Sequence, residues 1–322
     1  MEISPKARGA ATRTAAAIAV ALAFSGAVYA LLEATQPEFG LVSFTFLLVL
    51  PAAACAFVAY VADPWKQRSR RAYLLVPVQV LAAVIVVSVF VLREGTICIV
   101  LLAPLWLLSG TIGAALTYKL RRRVRDGRVY SVTLLAIPLL AMQAEPYVTW
   151  PTTRAVVTRS VEVAAPPARI WPLLRGIPDV RPGEGRWNLS QDMLGSPRPV
   201  GARMVGEGVG ATRLADWGAR IRFRERITDW RPGRSIAWTF HFDDVAGWAF
   251  TDRHLMPDSA YLKIRDGGYR LDPLPGGGTR ITLHTRYDMT TPVNLYTRLW
   301  GEVFLGDVQD NLLALVRQRA ER

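Results

Sequence analysis

The basic run Lys119-Leu120-Arg121-Arg122-Arg123-Val124-Arg125-Asp126-Gly127-Arg128 is followed by an uncharged segment, Val129–Ala144, and by the linker Glu145-Pro146-Tyr147-Val148-Thr149-Trp150-Pro151. Upstream of this stretch, charge is confined to short loops between long apolar runs. Downstream it is spread at the density of a folded soluble domain. Residues 1–144 carry 14 Lys and Arg against 6 Asp and Glu, and residues 145–322 carry 25 against 20. The stretch is therefore the border between a membrane half and a β-rich half. Whether Val129–Ala144 crosses a bilayer decides which compartment receives the second half.

Working upstream, four apolar segments occupy roughly 14–32, 41–62, 72–92 and 97–118, each of 19 to 22 residues without a charged side chain. That length suffices to cross about 30 Å of hydrocarbon as a helix. The first segment also fits a cleaved signal sequence ending near Val28-Tyr29-Ala30. Residues 1–13 form a short tail with Lys6, Arg8 and Arg13. Loop 33–40 has Glu33 and Glu38 and no basic residue, loop 63–71 has Lys66, Arg68, Arg70 and Arg71, loop 93–96 has Arg93 offset by Glu94, and loop 119–128 has six basic residues. This alternation follows the positive-inside rule and places the N-terminus and the two strongly basic loops in the cytoplasm. No Asp, Glu, Lys, Arg or His falls inside the apolar stretches, which argues against an ion or proton pathway. Pro51, Pro77, Pro104 and Pro138 put one proline in each later segment, tolerated where neighbouring helices satisfy the freed carbonyls.

Val129–Ala144 has 16 residues, at or just below the usual lower limit for a span. Tyr130 at one end and Tyr147 and Trp150 at the other sit where interfacial aromatics are expected. A crossing gives about five transmembrane helices in the cell (inner) membrane and an extracytoplasmic C-terminal domain. A re-entrant or interfacial helix would keep that domain in the cytoplasm. The crossing is the reading carried forward.

Downstream of the linker (145–153) the apolar period changes to two. Ala155–Val163 alternates like a half-buried strand, Ala164-Ala165-Pro166-Pro167 stops it, and Ala168–Leu174 reads as a short helix. Strands are expected at Ala202–Glu207, Ala211–Asp216, Arg220–Asp229, Ser235–Phe242 and Ala260–Arg265, then at Tyr269–Leu274 and Thr279–Tyr287 around the hairpin signal Pro275-Gly276-Gly277-Gly278. A long helix closes the chain, with Thr291 as its cap and Pro292 at its first position. Leu299, Trp300, Val303, Phe304, Val308, Leu312, Leu315 and Val316 give it a wide apolar face. The order is that of an α+β domain.

Three stretches carry a family resemblance. They are Thr158-Arg159-Ser160-Val161-Glu162-Val163-Ala164-Ala165-Pro166-Pro167-Ala168-Arg169-Ile170-Trp171, Trp230-Arg231-Pro232-Gly233-Arg234-Ser235-Ile236-Ala237-Trp238, and Tyr269-Arg270-Leu271-Asp272-Pro273-Leu274-Pro275-Gly276-Gly277-Gly278-Thr279-Arg280-Ile281. With the C-terminal helix, they make residues 154–322 similar to the SRPBCC or START-like superfamily, the helix-grip or polyketide-cyclase-like fold. The resemblance implies a curved antiparallel sheet around the C-terminal helix with an apolar cavity between them. It specifies function weakly, because the superfamily holds lipid carriers, cyclases and domains of other roles.

Strand alternation names the lining that such a cavity would have. Ile221, Phe223, Glu225 and Ile227 share one face, as do Ile236, Trp238 and Phe240, and Ile281, Leu283, Thr285 and Tyr287. Trp300, Phe304 and Val308 from the helix would close it. The same residues also fit an ordinary core. Glu225 is the one carboxylate on its apolar face, suited to a ligand contact, to a base with a raised pKa, or to pairing with an arginine. Arg220, Arg222, Arg224 and Arg226 project from the opposite face, either as a solvated surface or as a contact for anionic lipid headgroups.

Other chemistries find little support. His241, His254 and His284 are the only histidines, and none has a partner at metal-ligand spacing, so neither a metal nor another cofactor is expected. Cys55 and Cys98 lie in apolar runs, leaving the second half without thiols. Gly206-Glu207-Gly208-Val209-Gly210-Ala211 joins short strands rather than a strand and a helix, so it is not read as a phosphate loop. The net charge of +13 reflects basic membrane loops, and no nucleic-acid motif accompanies it. The expected role is membrane-anchored binding of a hydrophobic small molecule or lipid, with the bilayer as neighbour. A polyketide cyclase or dehydratase using Glu225, and an interaction module of a membrane complex, are the alternatives.

Overall fold

Long uncharged runs close their backbone hydrogen bonds internally, and helices result wherever the sequence predicts them. The computed structural model describes residues 5–36, 40–92, 95–123, 130–218, 221–245, 247–248 and 256–322. It divides into two compact units, Met1–Trp150 and Pro151–Arg322.

The first unit comprises α1 (Pro5–Thr35), α2 (Leu50–Ala62) entered through a π-helical turn at Thr45–Val49, α3 (Arg70–Val87) continued by a second at Ser88–Leu92, α4 (Thr96–Arg123) and α5 (Tyr130–Ala144). Helix α1 starts nine residues before the expected segment and takes in most of the basic tail. Four helical stretches, Gly9–Thr35, Thr45–Ala62, Arg70–Leu92 and Thr96–Arg123, are long and apolar enough to cross a membrane. At 15 residues α5 is shorter than these. Helix α2 lies at the centre, with Leu50, Ala54 and Val58 at most 1% exposed. Gly113 of α4 packs directly on it: a Cβ there would come within 2.0 Å of the Ala52 carbonyl oxygen, the close approach that small residues allow between membrane helices.

The two ends of this unit differ chemically. At one end Arg13 lies over Trp65 (4.6 Å), Arg121 over Tyr60 (4.3 Å) and Arg122 over Tyr118 (4.6 Å). There the buried Asp63 carboxylate accepts from the Gln67 and Arg68 amides and from the Tyr73 hydroxyl. The other end is aromatic: Phe46 packs on Tyr29 and Trp106, and Phe44 on Trp150. Here the Glu145 carboxylate accepts from the Phe44 and Thr45 amides. These amides are orphan donors at the start of the α2 helical stretch, and an acidic group there also meets the positive end of the helix dipole. The last residues of the α5 segment are thereby fastened to the end opposite Arg121 and Arg68.

The second unit is a seven-stranded antiparallel sheet in the order β1-β7-β6-β5-β4-β3-β2, with a long C-terminal helix. Its elements are β1 (Thr153–Val163), α6 (Pro167–Arg175), β2 (Gly201–Val205), β3 (Thr212–Asp216), β4 (Arg222–Arg231), β5 (Ser235–His241), β6 (Leu262–Pro273), β7 (Thr279–Met289) and α7 (Asn294–Ala320). Strict alternation along β4 and β7 buries one face of each. The two strands expected at 260–265 and 269–274 are one strand, β6, with a register shift between Ile264 and Asp266. Gly267 and Gly268 let it run on, since a Cβ at Gly267 would lie 3.1 Å from the Trp238 ring and one at Gly268 2.8 Å from the His284 ring.

The main core sits between the inner face of the sheet, α6 and the C-terminal half of α7. Ile227, Ile236, Trp238, Leu271, Ile281 and Leu283 meet Ile170, Leu174, Leu313, Leu315 and Val316 there. Two expectations for the last helix change. It begins at Asn294 rather than at Pro292, because the Thr291 amide and hydroxyl both donate to the Asn294 side-chain oxygen and form a turn ahead of the helix. Its apolar face is also divided: Leu315 and Val316 are buried, whereas Leu299 and Val303 are open to solvent.

Candidate functional site

The β3–β4 pairing sets Arg213 directly opposite Glu225. Ala211 just before β3 and Arg213 and Ala215 on it are buried, as are Phe223, Glu225 and Ile227 on β4, so both charged side chains point inward. The Arg213 Nε donates to the Glu225 carboxylate, with the two side chains 9% and 6% exposed. Arg213 Nη1 donates to the Leu174 carbonyl at the end of α6 (2.7 Å). Its guanidinium lies 4.3 Å from the centre of the Trp238 ring and 5.8 Å from that of Tyr269. A charge this deep is tolerated only when paired and hydrogen-bonded. Burial works to lower the Arg213 pKa, but the charge and hydrogen bond of Glu225 outweigh it and raise it. Burial pushes the Tyr269 phenol up to about 12, against the pull of Arg213, so at neutral pH it keeps its proton.

These three side chains border a partly open recess of about 50 Å³, whose remaining wall includes Leu173, Ile177, Trp217, Leu312 and Leu315. At roughly 10–15 Å³ per water, this is room for a few water molecules; pockets for drug-sized ligands run from roughly 300 Å³ upward. The arrangement is a small polar patch in an apolar recess. Arginine has five N–H donors; Glu225 and Leu174 take two of them, and the Tyr269 oxygen accepts from the same guanidinium. The remaining ones, with the Tyr269 hydroxyl, suit a carbonyl, hydroxyl or carboxylate at the end of an apolar molecule.

Of the residues expected to line a cavity, Glu225 is on this wall. Ile227, Ile236, Trp238 and Leu283 belong to the main core. Ile221 and Phe223 form a second cluster with Trp217, Phe240, Phe242 and Trp248, and Tyr287 packs with Val157 and Met289. Trp300 and Phe304 contact each other along α7, ring centres 5.9 Å apart and tilted by 44°. Arg213 was not singled out from the sequence. Its signal was the alanine on either side at period two, which turns Arg213 inward and Leu214 outward.

Arg222, Arg224 and Arg226 are exposed along β4; Arg220 lies outside the described residues, as does His254. Two of the three are paired, Arg222 with Asp216 (3.1 Å) and Arg224 with Asp243, which offsets much of the row's charge. Among the described residues no group of three or more His, Cys, Asp or Glu is placed to hold a metal ion. In the first unit an apolar cavity of about 90 Å³ lies among α1, α3 and α4, with Ser25, Phe46, Leu81, Leu102 and Trp106 on its wall.

The order of elements and the packing of α7 on the sheet's buried face define a helix-grip domain. The family described as polyketide cyclase / dehydrase and lipid transport matches residues 154–321, more than half of the chain, and the chain belongs to that family. Norcoclaurine synthase from Thalictrum flavum is similar at 16% identity, over 51% of this chain and 94% of its own, with a TM-score of 0.31. An aromatase/cyclase from Streptomyces is similar at 16% identity, over 52% and 94%, with a TM-score of 0.30. A protein of known structure from Nitrosospira multiformis is similar at 18% identity, over 51% and 94%, with a TM-score of 0.32. No curated protein sequence matches the chain.

Proposed function

We propose that this chain is a membrane-anchored binding protein whose helix-grip domain takes an apolar small molecule, or a lipid, by a single polar end held at Arg213, Glu225 and Tyr269. The buried Arg213–Glu225 pair on the wall of an otherwise apolar recess carries the reading. A charge pair in that position costs desolvation on both sides, and an apolar pair would serve the core as well or better. Enclosing the rest of the ligand would be driven by removing its surface from water. A lipid-sized occupant requires the recess to widen, since the cavity holds only a few waters.

The anchor is the first unit, with four helices long and apolar enough to span. The capping of the Thr45 helical stretch by Glu145 supports α5 as a fifth crossing, because it carries the chain from the arginine-rich end to the aromatic end. By the positive-inside rule the domain then works on the extracytoplasmic side. Native mass spectrometry of the full-length protein, released from detergent, tests the binding reading. A small-molecule adduct is expected, and its absence across several expression hosts would sink it.

Cyclase or dehydratase chemistry is the second reading, favoured by the presence of a protonated phenol and a carboxylate on one recess. Tyr269 would donate to a carbonyl oxygen, with Glu225 as the base. Loss of turnover in Glu225→Gln with retained ligand affinity would support it.

A further inference from the structure

The first three turns of α7 do not behave like the rest of that helix. Leu295 is 75% exposed and Leu299 61%, and Val303 follows them at the same i+4 spacing. Beside this row runs a half-buried aromatic row, Tyr296, Trp300 and Phe304, with Tyr296 edge-on to Trp300 and Trp300 tilted against Phe304. Together they cover close to half of the helix circumference with apolar surface, some of it open. In the last turns the apolar residues Leu313, Leu315 and Val316 are buried in the core.

The position of this surface is fixed by the chain entry. The Asn294 side-chain amide donates to the Pro151 carbonyl (2.8 Å) and to the Thr153 hydroxyl (2.9 Å). Pro151 is the first residue of the domain and directly follows Trp150, the last of the membrane unit. At 1.5 Å per residue, Leu299 lies about 8 Å along the helix from that tether. Arg298 is exposed, and at the same end the Arg154 side chain, 89% exposed, lies 3.7 Å from Asp288. Leucines flanked by tyrosine, tryptophan and arginine are the composition of a helix that lies in the headgroup region with its apolar face in the acyl boundary.

We propose that the N-terminal half of α7, through Leu295, Leu299 and Val303, rests in the surface of the lipid bilayer. The proposal rests on the membrane anchoring of the first unit and is independent of ligand binding. It orients the domain, with the 151–153 end of β1 toward the lipid and the β4–β5 turn away from it.

The test uses the full-length protein in vesicles of phosphatidylcholine and phosphatidylglycerol. An environment-sensitive fluorophore is attached to Leu295→Cys, to Leu299→Cys and, as control, to Arg231→Cys at the far end of the sheet. The native Cys55 and Cys98 are buried. The expected result is blue-shifted emission at 295 and 299, quenched by nitroxide-labelled lipid, with water-like and unquenched emission at 231. Water-like emission at Leu299 overturns the proposal. Blue-shifted but unquenched emission also overturns it, because protein would then cover the stripe. Flotation of the vesicles separately reports anchoring, and a chain that fails to float overturns the anchoring and the proposal together.

Discussion

Glu225→Gln leaves Arg213 buried without its counter-charge. Breaking a buried ion pair from one side costs about 3–5 kcal/mol, whereas replacing both partners with apolar groups of similar volume is often neutral or stabilising. Both side chains are less than a tenth exposed, so water cannot replace the lost partner. Arg213 retains its bond to the Leu174 carbonyl and its place over Trp238, which puts the expected cost near the lower end, about 3 kcal/mol. In a domain of this size each kcal/mol moves the midpoint by about 2–4 °C, so a fall of about 6–12 °C is expected. Arg213→Met should cost at least as much, because the Leu174 carbonyl loses its donor too. The double variant Arg213→Met/Glu225→Leu should return to within about 1.5 kcal/mol of the parent. Thermal unfolding of the full-length protein in detergent, followed by tryptophan near-ultraviolet circular dichroism, reads this, since Trp171 and Trp238 lie in the domain core. A double variant as unstable as the two single losses summed would refute the reasoning, because the side chains would then act independently.

Three further outcomes follow from other contacts. The Arg319 hydrogen bond, with the Arg181 amide, holds the Glu184 carboxyl at about 2, below its ordinary 4.5. Its contribution is therefore complete above about pH 4.5 and lost as pH falls toward 2; urea midpoints between pH 5 and 2.5 should fall less steeply in Glu184→Gln than in the parent. Gly113→Leu forces α4 away from the Ala52 carbonyl and should lower the midpoint of the first unit by an amount worth about 1–3 kcal/mol, leaving that of the helix-grip domain in place. A phosphatase fused after Trp150 should be active if α5 crosses, and cytoplasmic fluorescence with no phosphatase activity would place the domain inside.

Much of this architecture was legible because its signals are periodic. Uncharged runs named the four long apolar helical stretches, and alternation placed β1, β4, β5 and β7 and gave their inner faces. The misreadings have local causes. Gly267-Gly268 looks like a break between strands and is instead the room a strand needs beneath Trp238 and His284. The apolar spacing along α7 identified the residues but not which half would be covered, since that depends on where the sheet ends. Glu225 stood out as a carboxylate among hydrophobes, while Arg213 was masked by the equally plausible inward choice of Leu214. Cross-strand register, which places Arg213 opposite Glu225, is a tertiary fact that single-strand periodicity does not contain.

On the proposed function, the buried Arg213–Glu225 pair serves a ligand rather than stability. Native mass spectrometry of the full-length protein beside its Arg213→Met/Glu225→Leu double variant tests it most directly. A small-molecule adduct is expected on the parent, with its loss from a variant that unfolds within a few degrees of the parent. The same adduct at the same occupancy on both proteins would contradict it.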